Sequence, residues 1–115
     1  MTEQRASLHV TEELVRTYSR RGNFHSDAET ATALGMPGLV AQGVQVAGPA
    51  YNILLDAWGE DFLAHGEVDV RFVGMVVAGD MIEARVAVDE LGSAKVEVVN
   101  TTAGTASVVG SATRA

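Results

Sequence analysis

Four segments in the second half of the chain alternate apolar and polar side chains, and this pattern restricts the possible folds more than any other feature. In the first segment, Val68, Val70 and Phe72 face one way, whereas Asp69 and Arg71 face the other. Short turns separate the segments, which cover residues 67–73, 81–89, 95–101 and 105–113. Because strands joined by short turns pair with their neighbours, the pattern predicts an antiparallel meander with one apolar face.

A long apolar stretch before these strands can cover that face. Residues 45–58 do not alternate strictly and are long for a strand, which favours a helix. Pro49 disfavours a continuous helix, so the helix either begins near Gly48 or is kinked at Pro49. Its polar residues fall on one stripe, which faces solvent, a subunit contact or a substrate tunnel. These polar residues are Gln45, Asn52 and Asp56.

The first part of the chain predicts shorter elements. Residues 1–6 are expected to form a flexible tail, and residues 7–10 a short strand. Thr11 is the expected N-cap of a helix that ends near Arg20 or Arg21. A capping-box pattern predicts a second, short helix over residues 27–34. Together, the predicted helices and strands indicate an α+β fold in which residues 7–115 form a single domain.

Composition excludes several classes of function. The chain has 115 residues and a net charge of −7, and it lacks the clustered basic residues that nucleic-acid binding needs. It contains no cysteine, and its His, Asp and Glu residues show no metal-ligand spacing, so no metal or cofactor is expected. No run is long enough to span a membrane, and the N-terminus has no signal sequence. The expectation is a cytoplasmic protein.

Three stretches of the sequence resemble a known family. They are Asn23-Phe24-His25-Ser26-Asp27 with Ala31, then Ala41-Gln42-Gly43, and then Val70-Arg71-Phe72 with Gly79-Asp80. Their order and spacing resemble the MaoC-like hydratases and dehydratases, which include the (R)-specific enoyl-CoA hydratases. The resemblance implies a single hot-dog domain, in which a curved antiparallel sheet wraps around one long central helix.

The resemblance also implies an active site. His25 and Asn23 would be catalytic, with His25 as acid or base near neutral pH and Asn23 positioning water or a carbonyl. The backbone N–H of Gly43 would hold the thioester oxygen as that oxygen gains negative charge. Gln42 would contact substrate. From its own chemistry, Arg20 either binds a carboxylate or phosphate of the substrate or faces solvent next to Arg21.

Two positions depart from the family pattern. The family's catalytic aspartate lies five residues before the histidine, where Arg20 stands in an ungapped reading; if Tyr18 instead matches the family's aromatic residue, the aspartate is deleted. Gln42 replaces a histidine that commonly precedes the glycine.

Four hypotheses for function remain open. The first is a hydratase or dehydratase (a lyase) acting on an acyl thioester of coenzyme A or acyl carrier protein, or on a related carbonyl compound. The second is a non-catalytic or half-catalytic subunit that binds an acyl chain or pairs with an active homologue. The third is a thioesterase using Asp56, and the fourth a structural domain without chemistry. The resemblance implies a homodimer, or a heterodimer with a homologue, and a meander also leaves an edge strand that pairing would cover.

Overall fold

A long helix and five strands dominate the computed structural model, which describes residues 2–18, 29, 33–34 and 38–115. The chain begins with strand β1 and helix α1. The long helix α2 and a short helix α3 follow, and then strands β2 to β5. Their bounds are β1 Thr2–His9, α1 Glu12–Tyr18, α2 Gly43–Trp58, α3 Glu60–His65, β2 Glu67–Phe72, β3 Met81–Val88, β4 Ser93–Asn100 and β5 Thr105–Thr113. The fold is α+β, as predicted.

The strands form one antiparallel sheet in the order β1-β3-β4-β5-β2. The predicted meander is therefore correct for β3, β4 and β5 but wrong for β2, which pairs with β5 at the edge of the sheet. The physical reason is the length of the connections. Short turns at residues 89–92 and 101–104 force β3, β4 and β5 to be neighbours, whereas residues 73–80 are long enough to cross the end of the sheet.

Strand β1 is longer than predicted, and residues 2–6 are part of it rather than a flexible tail. Its register pairs every residue with β3, from Thr2 opposite Val88 to His9 opposite Met81. Ala6 and Leu8 pack against the core. Backbone pairing with β3 is a long-range interaction, and this is why the polar composition of residues 1–6 gave no sign of it.

Helix α2 lies across the inner face of the sheet and contacts β1, β3, β4 and β5. The helix begins at Gly43 and runs through Pro49, so the alternative of a start near Gly48 is wrong. Pro49 is buried inside the helix, where it has no N–H to donate to the hydrogen-bond ladder. The core between helix and sheet is made of aliphatic side chains, including Val46, Ile53, Leu54, Ile82, Val86, Val96, Val98 and Val108.

Helix α1 begins as predicted. The Leu14 N–H donates to Oγ1 of Thr11 at 3.1 Å, which makes Thr11 the N-cap. Val10 and Val15, on either side of this cap, are both buried in the core, as expected of a hydrophobic staple. Helix α3 was not predicted; it follows the left-handed Gly59 (φ 59°), and its Phe62 ring lies 5.8 Å from that of Trp58. Of the predicted helix over residues 27–34, most lies outside the described residues.

The outer face of the sheet carries ion pairs. Arg85 Nε lies 2.7 Å from a carboxylate oxygen of Glu83, and Arg5 and Glu97 extend the network. The hydrogen bond from Arg85 holds the pKa of Glu83 below its usual value. The two faces of the sheet thus separate an aliphatic interior from a charged exterior.

A hydrogen-bonded cluster joins the start of β3 to the end of β4, and we call it the Asp80 cluster. Asp80 Oδ2 accepts from Nδ2 of the fully buried Asn100 at 2.7 Å and from the Val77 N–H at 3.0 Å. Asn100 Oδ1 accepts from the Ala103 N–H at 3.0 Å. The Asp80 backbone also takes part, because its carbonyl accepts from the Val10 N–H. The Gly79-Asp80 pair of the family pattern therefore acts here in folding.

Candidate active site

The N-terminus of α2 presents backbone N–H groups that the helix itself does not use. The first backbone bond within the helix runs from the Val46 N–H to the Gln42 carbonyl, at 3.1 Å. The N–H groups of Gly43, Val44 and Gln45 precede that bond and have no acceptor within the helix. Gln42 is the N-cap residue, and its side chain makes no capping hydrogen bond. The partial positive charge of a helix N-terminus favours a negatively charged or polarised oxygen.

An apolar groove of about 390 Å³ lies next to this helix N-terminus. One wall comes from α2 and the residues leading into it, and the other from the end of β2 and the residues that follow. The lining residues are Val40, Ala41, Gly43, Val46, Phe72, Val73, Gly74, Met75 and Val76. A polarising backbone N–H beside an uncharged groove suits a substrate with a carbonyl group and an apolar chain.

Phe72 lies directly against Gly43. A Cβ atom built on Gly43 would be 2.8 Å from both Cδ1 and Cε1 of the Phe72 ring. Phe72 is the last residue of β2, and it remains 54% exposed. Glycine at position 43 thus allows the ring to approach the helix N-terminus, and the ring forms one side of the groove there.

The wall after β2 is held by backbone hydrogen bonds. The N–H groups of Val73 and Gly74 both donate to the Ser107 carbonyl, at 2.9 and 3.3 Å. The Ala41 N–H donates to the Val76 carbonyl at 2.8 Å, which ties this wall to the residues before α2. Both walls of the groove are therefore anchored to the sheet and to each other.

The structure describes only some of the predicted site residues. Gly43 lines the groove at the start of α2, whereas Gln42 lies beside it, half-buried, and is not among the lining residues. Arg20, Asn23 and His25 lie outside the described residues. Their roles stay predictions. Sequence reasoning missed Phe72 as a site residue, although the Arg-Phe pair of the family pattern had already drawn attention to it.

The polar stripe of α2 does not enter the groove. Gln45 Nε2 donates to the Leu14 carbonyl at 2.9 Å, so this residue joins α2 to α1. Asn52 and Asp56 are exposed. The carboxylate that the thioesterase hypothesis required, Asp56, is therefore absent from the groove wall, and nothing in the described structure favours that hypothesis.

A larger depression, of about 490 Å³, lies on the outer face of the sheet. Its walls include Glu3, Arg5, Arg85 and Glu97, whose charges are already paired with one another or with Glu83. It lies across the sheet from α2. The smaller groove is the better candidate, because it combines an apolar wall with a polarising N–H group.

Two features are absent from the residues that the structure describes. Within them, no three His, Asp or Glu side chains are grouped closely enough to hold a metal ion. No helix of this part of the chain is long and apolar enough to cross a membrane.

Comparison with known proteins decides the family. The model of the MaoC like domain matches residues 1–110. The chain belongs to the MaoC-like family. This is a family of hydratases and dehydratases, as the resemblance of the sequence motifs implied. Among curated protein sequences, none matches the chain significantly.

Solved structures of MaoC-like proteins share the fold. The (R)-hydratase from A. caviae involved in PHA biosynthesis superimposes with a TM-score of 0.78 at 18% identity, over 96% of this chain and 91% of that one. The ChsH1-ChsH2 complex from Mycobacterium tuberculosis gives 0.74 at 15% identity, over 97% and 94%. The truncated HadBC (3R-hydroxyacyl-ACP dehydratase) complex from the same organism gives 0.67 at 25% identity, over 96% and 92%. The predicted hot-dog arrangement, a sheet around a central helix, is confirmed.

Proposed function

We propose that this MaoC-like protein is a lyase that adds water to, or removes it from, an acyl thioester. The observation that carries the proposal is the Gly43 N–H, which lies at the N-terminus of α2 on the wall of an apolar groove. Addition of water to a 2-enoyl thioester places negative charge on the thioester oxygen, and a fixed N–H group stabilises that charge.

The groove and the helix terminus support complementary parts of this chemistry. The aliphatic walls contributed by Val40, Val46 and Val76 would exclude water from the acyl chain. The N–H of Gly43 would bind the carbonyl oxygen. Fixing both ends of the reacting group also removes orientational freedom before the reaction, which lowers the barrier.

His25 would transfer the protons. In the hydration direction a base takes a proton from water as the oxygen attacks the β-carbon, and an acid then protonates the α-carbon. An imidazole can do both near neutral pH, since its ordinary pKa lies close to 6.5. Asn23 would position the water through its amide, Gln42 would contact substrate next to Gly43, and Arg20 would bind a phosphate or carboxylate of the carrier.

The experiment is the hydration of crotonyl-CoA, followed by the loss of absorbance of its conjugated thioester. Wild type, His25→Ala and His65→Ala are compared. Because general acid–base catalysis contributes typically about 10²–10⁴-fold, His25→Ala is expected to lower turnover by at least about 100-fold. His65 is exposed at the end of α3 and does not line the groove, so His65→Ala should retain wild-type turnover.

A folded wild-type protein without turnover would contradict the proposal for this substrate. A second candidate function would then take its place, namely a partner subunit that lacks part of the catalytic machinery. The absence of an aspartate before His25 favours it, and the occurrence of similar folds in the ChsH1-ChsH2 and HadBC complexes supports it.

The oligomeric state distinguishes the two candidates further. We propose that the active form is a homodimer, and light scattering should then give twice the chain mass of 12.0 kDa. A monomer without turnover that becomes active only with a MaoC-like homologue would support the partner subunit instead.

A further inference from the structure

We propose that Phe72 determines specificity, by restricting the groove to acyl thioesters that carry no branch on the carbon next to the carbonyl. This inference rests on the proposed function, because it assigns the groove to an acyl chain. It goes beyond that function by naming the shape of the chain and the residue that selects it.

Phe72 leaves no room for a side chain on Gly43. The 2.8 Å separation between an added Cβ on Gly43 and two ring carbons of Phe72 means that no methyl group fits between them. Carbon atoms in van der Waals contact lie roughly 3.5–4.0 Å apart. The ring therefore fills the space on one side of the backbone unit whose N–H would bind the substrate.

The α-carbon of a bound thioester would lie close to Gly43. A carbonyl oxygen accepting from the Gly43 N–H lies about 2.9 Å from the nitrogen. The carbonyl carbon is about 1.2 Å beyond that oxygen, and the α-carbon is one bond further. Substituents on the α-carbon are thus within reach of groups packed on Gly43, and Phe72 is the bulky side chain among them. A straight chain can continue along the groove, whereas an α-methyl group meets the ring.

Phe72 is an exposed residue of the groove wall. Its ring is 54% exposed although the neighbouring core positions, such as Val108 opposite it in β5, are fully buried. A large apolar side chain held at a groove mouth adds little to the core. Val73 and Met75, which also line the groove, are exposed as well, and contiguous exposed apolar surface commonly marks a binding site. Removing the ring should accordingly change the groove more than the stability.

The test compares the binding of two isomeric acyl thioesters. Butyryl-CoA and isobutyryl-CoA have the same atoms, with one methyl group moved from the end of the chain to the α-carbon, and neither acyl chain carries a double bond that could be hydrated. Binding of both is measured by calorimetry for wild type, Phe72→Ala and Phe72→Leu. Because one misplaced methyl group is worth roughly 10-fold or more in a shaped pocket, wild type should prefer butyryl-CoA about 10-fold. Phe72→Ala should bind the two isomers equally, and Phe72→Leu should be intermediate.

The matched control is Leu91→Ala. Leu91 is 89% exposed in the turn between β3 and β4 and does not line the groove, so its replacement should keep the wild-type preference. Thermal melts of all variants confirm folding, and Phe72→Leu supplies the answer if Phe72→Ala does not fold.

Three outcomes would overturn the inference. If a folded Phe72 variant keeps the full preference for butyryl-CoA, another residue selects against the branch, and the proposed function stands. Equal binding of both isomers by wild type shows that the groove does not select against the branch, and again the proposed function stands. Binding of neither isomer by wild type removes the acyl thioester as ligand and overturns the proposed function as well.

Discussion

The Asp80 cluster and the N-terminus of α2 both place polar groups beside the hydrophobic core, but the cluster bonds its side chains to one another, whereas the Gly43 N–H has no acceptor within its helix. In the cluster, the Asn100 amide donates to the Asp80 carboxylate, and the backbone N–H groups of Val77 and Ala103 donate to Asp80 and to Asn100. At the start of α2, Gly43 offers an N–H that the helix cannot use, and the N-cap side chain does not supply an acceptor.

The difference separates two family motifs that look alike in sequence. Gly79-Asp80 and Gln42-Gly43 both combine a glycine with a polar residue. The polar groups of the Asp80 cluster bond to one another and to backbone N–H groups, and in this way they stabilise the fold. The Gly43 N–H has no acceptor within the helix, and beside an apolar groove it can bind a ligand. Hydrogen-bond completeness therefore distinguishes the folding motif from the candidate catalytic one.

The largest expected effect is at the Asp80 cluster. Asp80→Ala leaves the Asn100 amide and the Val77 N–H without their acceptor, and each unsatisfied buried group costs about 1–3 kcal/mol. We expect the free energy of unfolding to fall by about 3 kcal/mol, measured by urea denaturation. Asp56→Ala, at an exposed position of α2, should change it by less than about 0.5 kcal/mol. A loss no larger than that of the control would contradict the structural role of the cluster.

The second prediction concerns the contact at the start of α2. Gly43→Ala forces its methyl group against the Phe72 ring, and overpacking of this kind costs about 1–3 kcal/mol. In a Phe72→Ala background the same substitution should cost much less, because the obstacle is a side chain and not the backbone. Chemical denaturation of the four proteins in this double-mutant cycle measures the coupling.

Gly48→Ala is the control for this cycle. A Cβ at Gly48 meets no atom within 4 Å, so alanine should stabilise the same helix by about 0.5–1 kcal/mol through its higher helix propensity. Equal losses from Gly43→Ala in both backgrounds would show that Phe72 does not pack on Gly43 in solution.

A third prediction measures what a helix cap contributes in this protein. Thr11→Ala removes the acceptor for the Leu14 N–H at the start of α1 and should lower the free energy of unfolding by about 1 kcal/mol. Thr17→Ala, in the exposed part of α1, provides a comparison without a cap in which any change should stay within about 0.5 kcal/mol. If the two substitutions have equal effects, the Thr11 hydroxyl does not cap α1 in solution.

The smallest effect is expected on the outer face of the sheet, where polar groups are paired but solvated. The hydrogen bond from Arg85 lowers the pKa of Glu83 from its ordinary value of 4.5. A carboxylate with a lowered pKa contributes stability above its unfolded-state pKa and loses it as pH falls through the folded-state value. The Tm difference between wild type and Glu83→Gln should be constant near neutral pH and should shrink below about pH 4.5. A difference that does not change with pH would show that the pair with Arg85 is not formed.

The accuracy of the sequence-based prediction differed between local and long-range features. The alternation in β3, β4 and β5 and the long helix were predicted because each depends on periodicity within one segment. The Thr11 cap was predicted because a cap is a contact between residues three apart. The pairing of β1 with β3 and of β2 with β5 was missed, since strand pairing depends on partners far away in the chain.

The candidate site shows the same division. The sequence by itself placed Gly43 next to the start of the central helix through its resemblance to MaoC-like chains, because the motif around it is local, whereas the structure showed that the helix begins at Gly43. Only the tertiary structure decided that Phe72 lies on Gly43 and forms the groove with Val40, Val46 and Met75. The physical reason is that β2 lies at the far edge of the sheet beside β5, and the backbone bonds from Val73 and Gly74 to Ser107 direct its end across the N-terminus of α2.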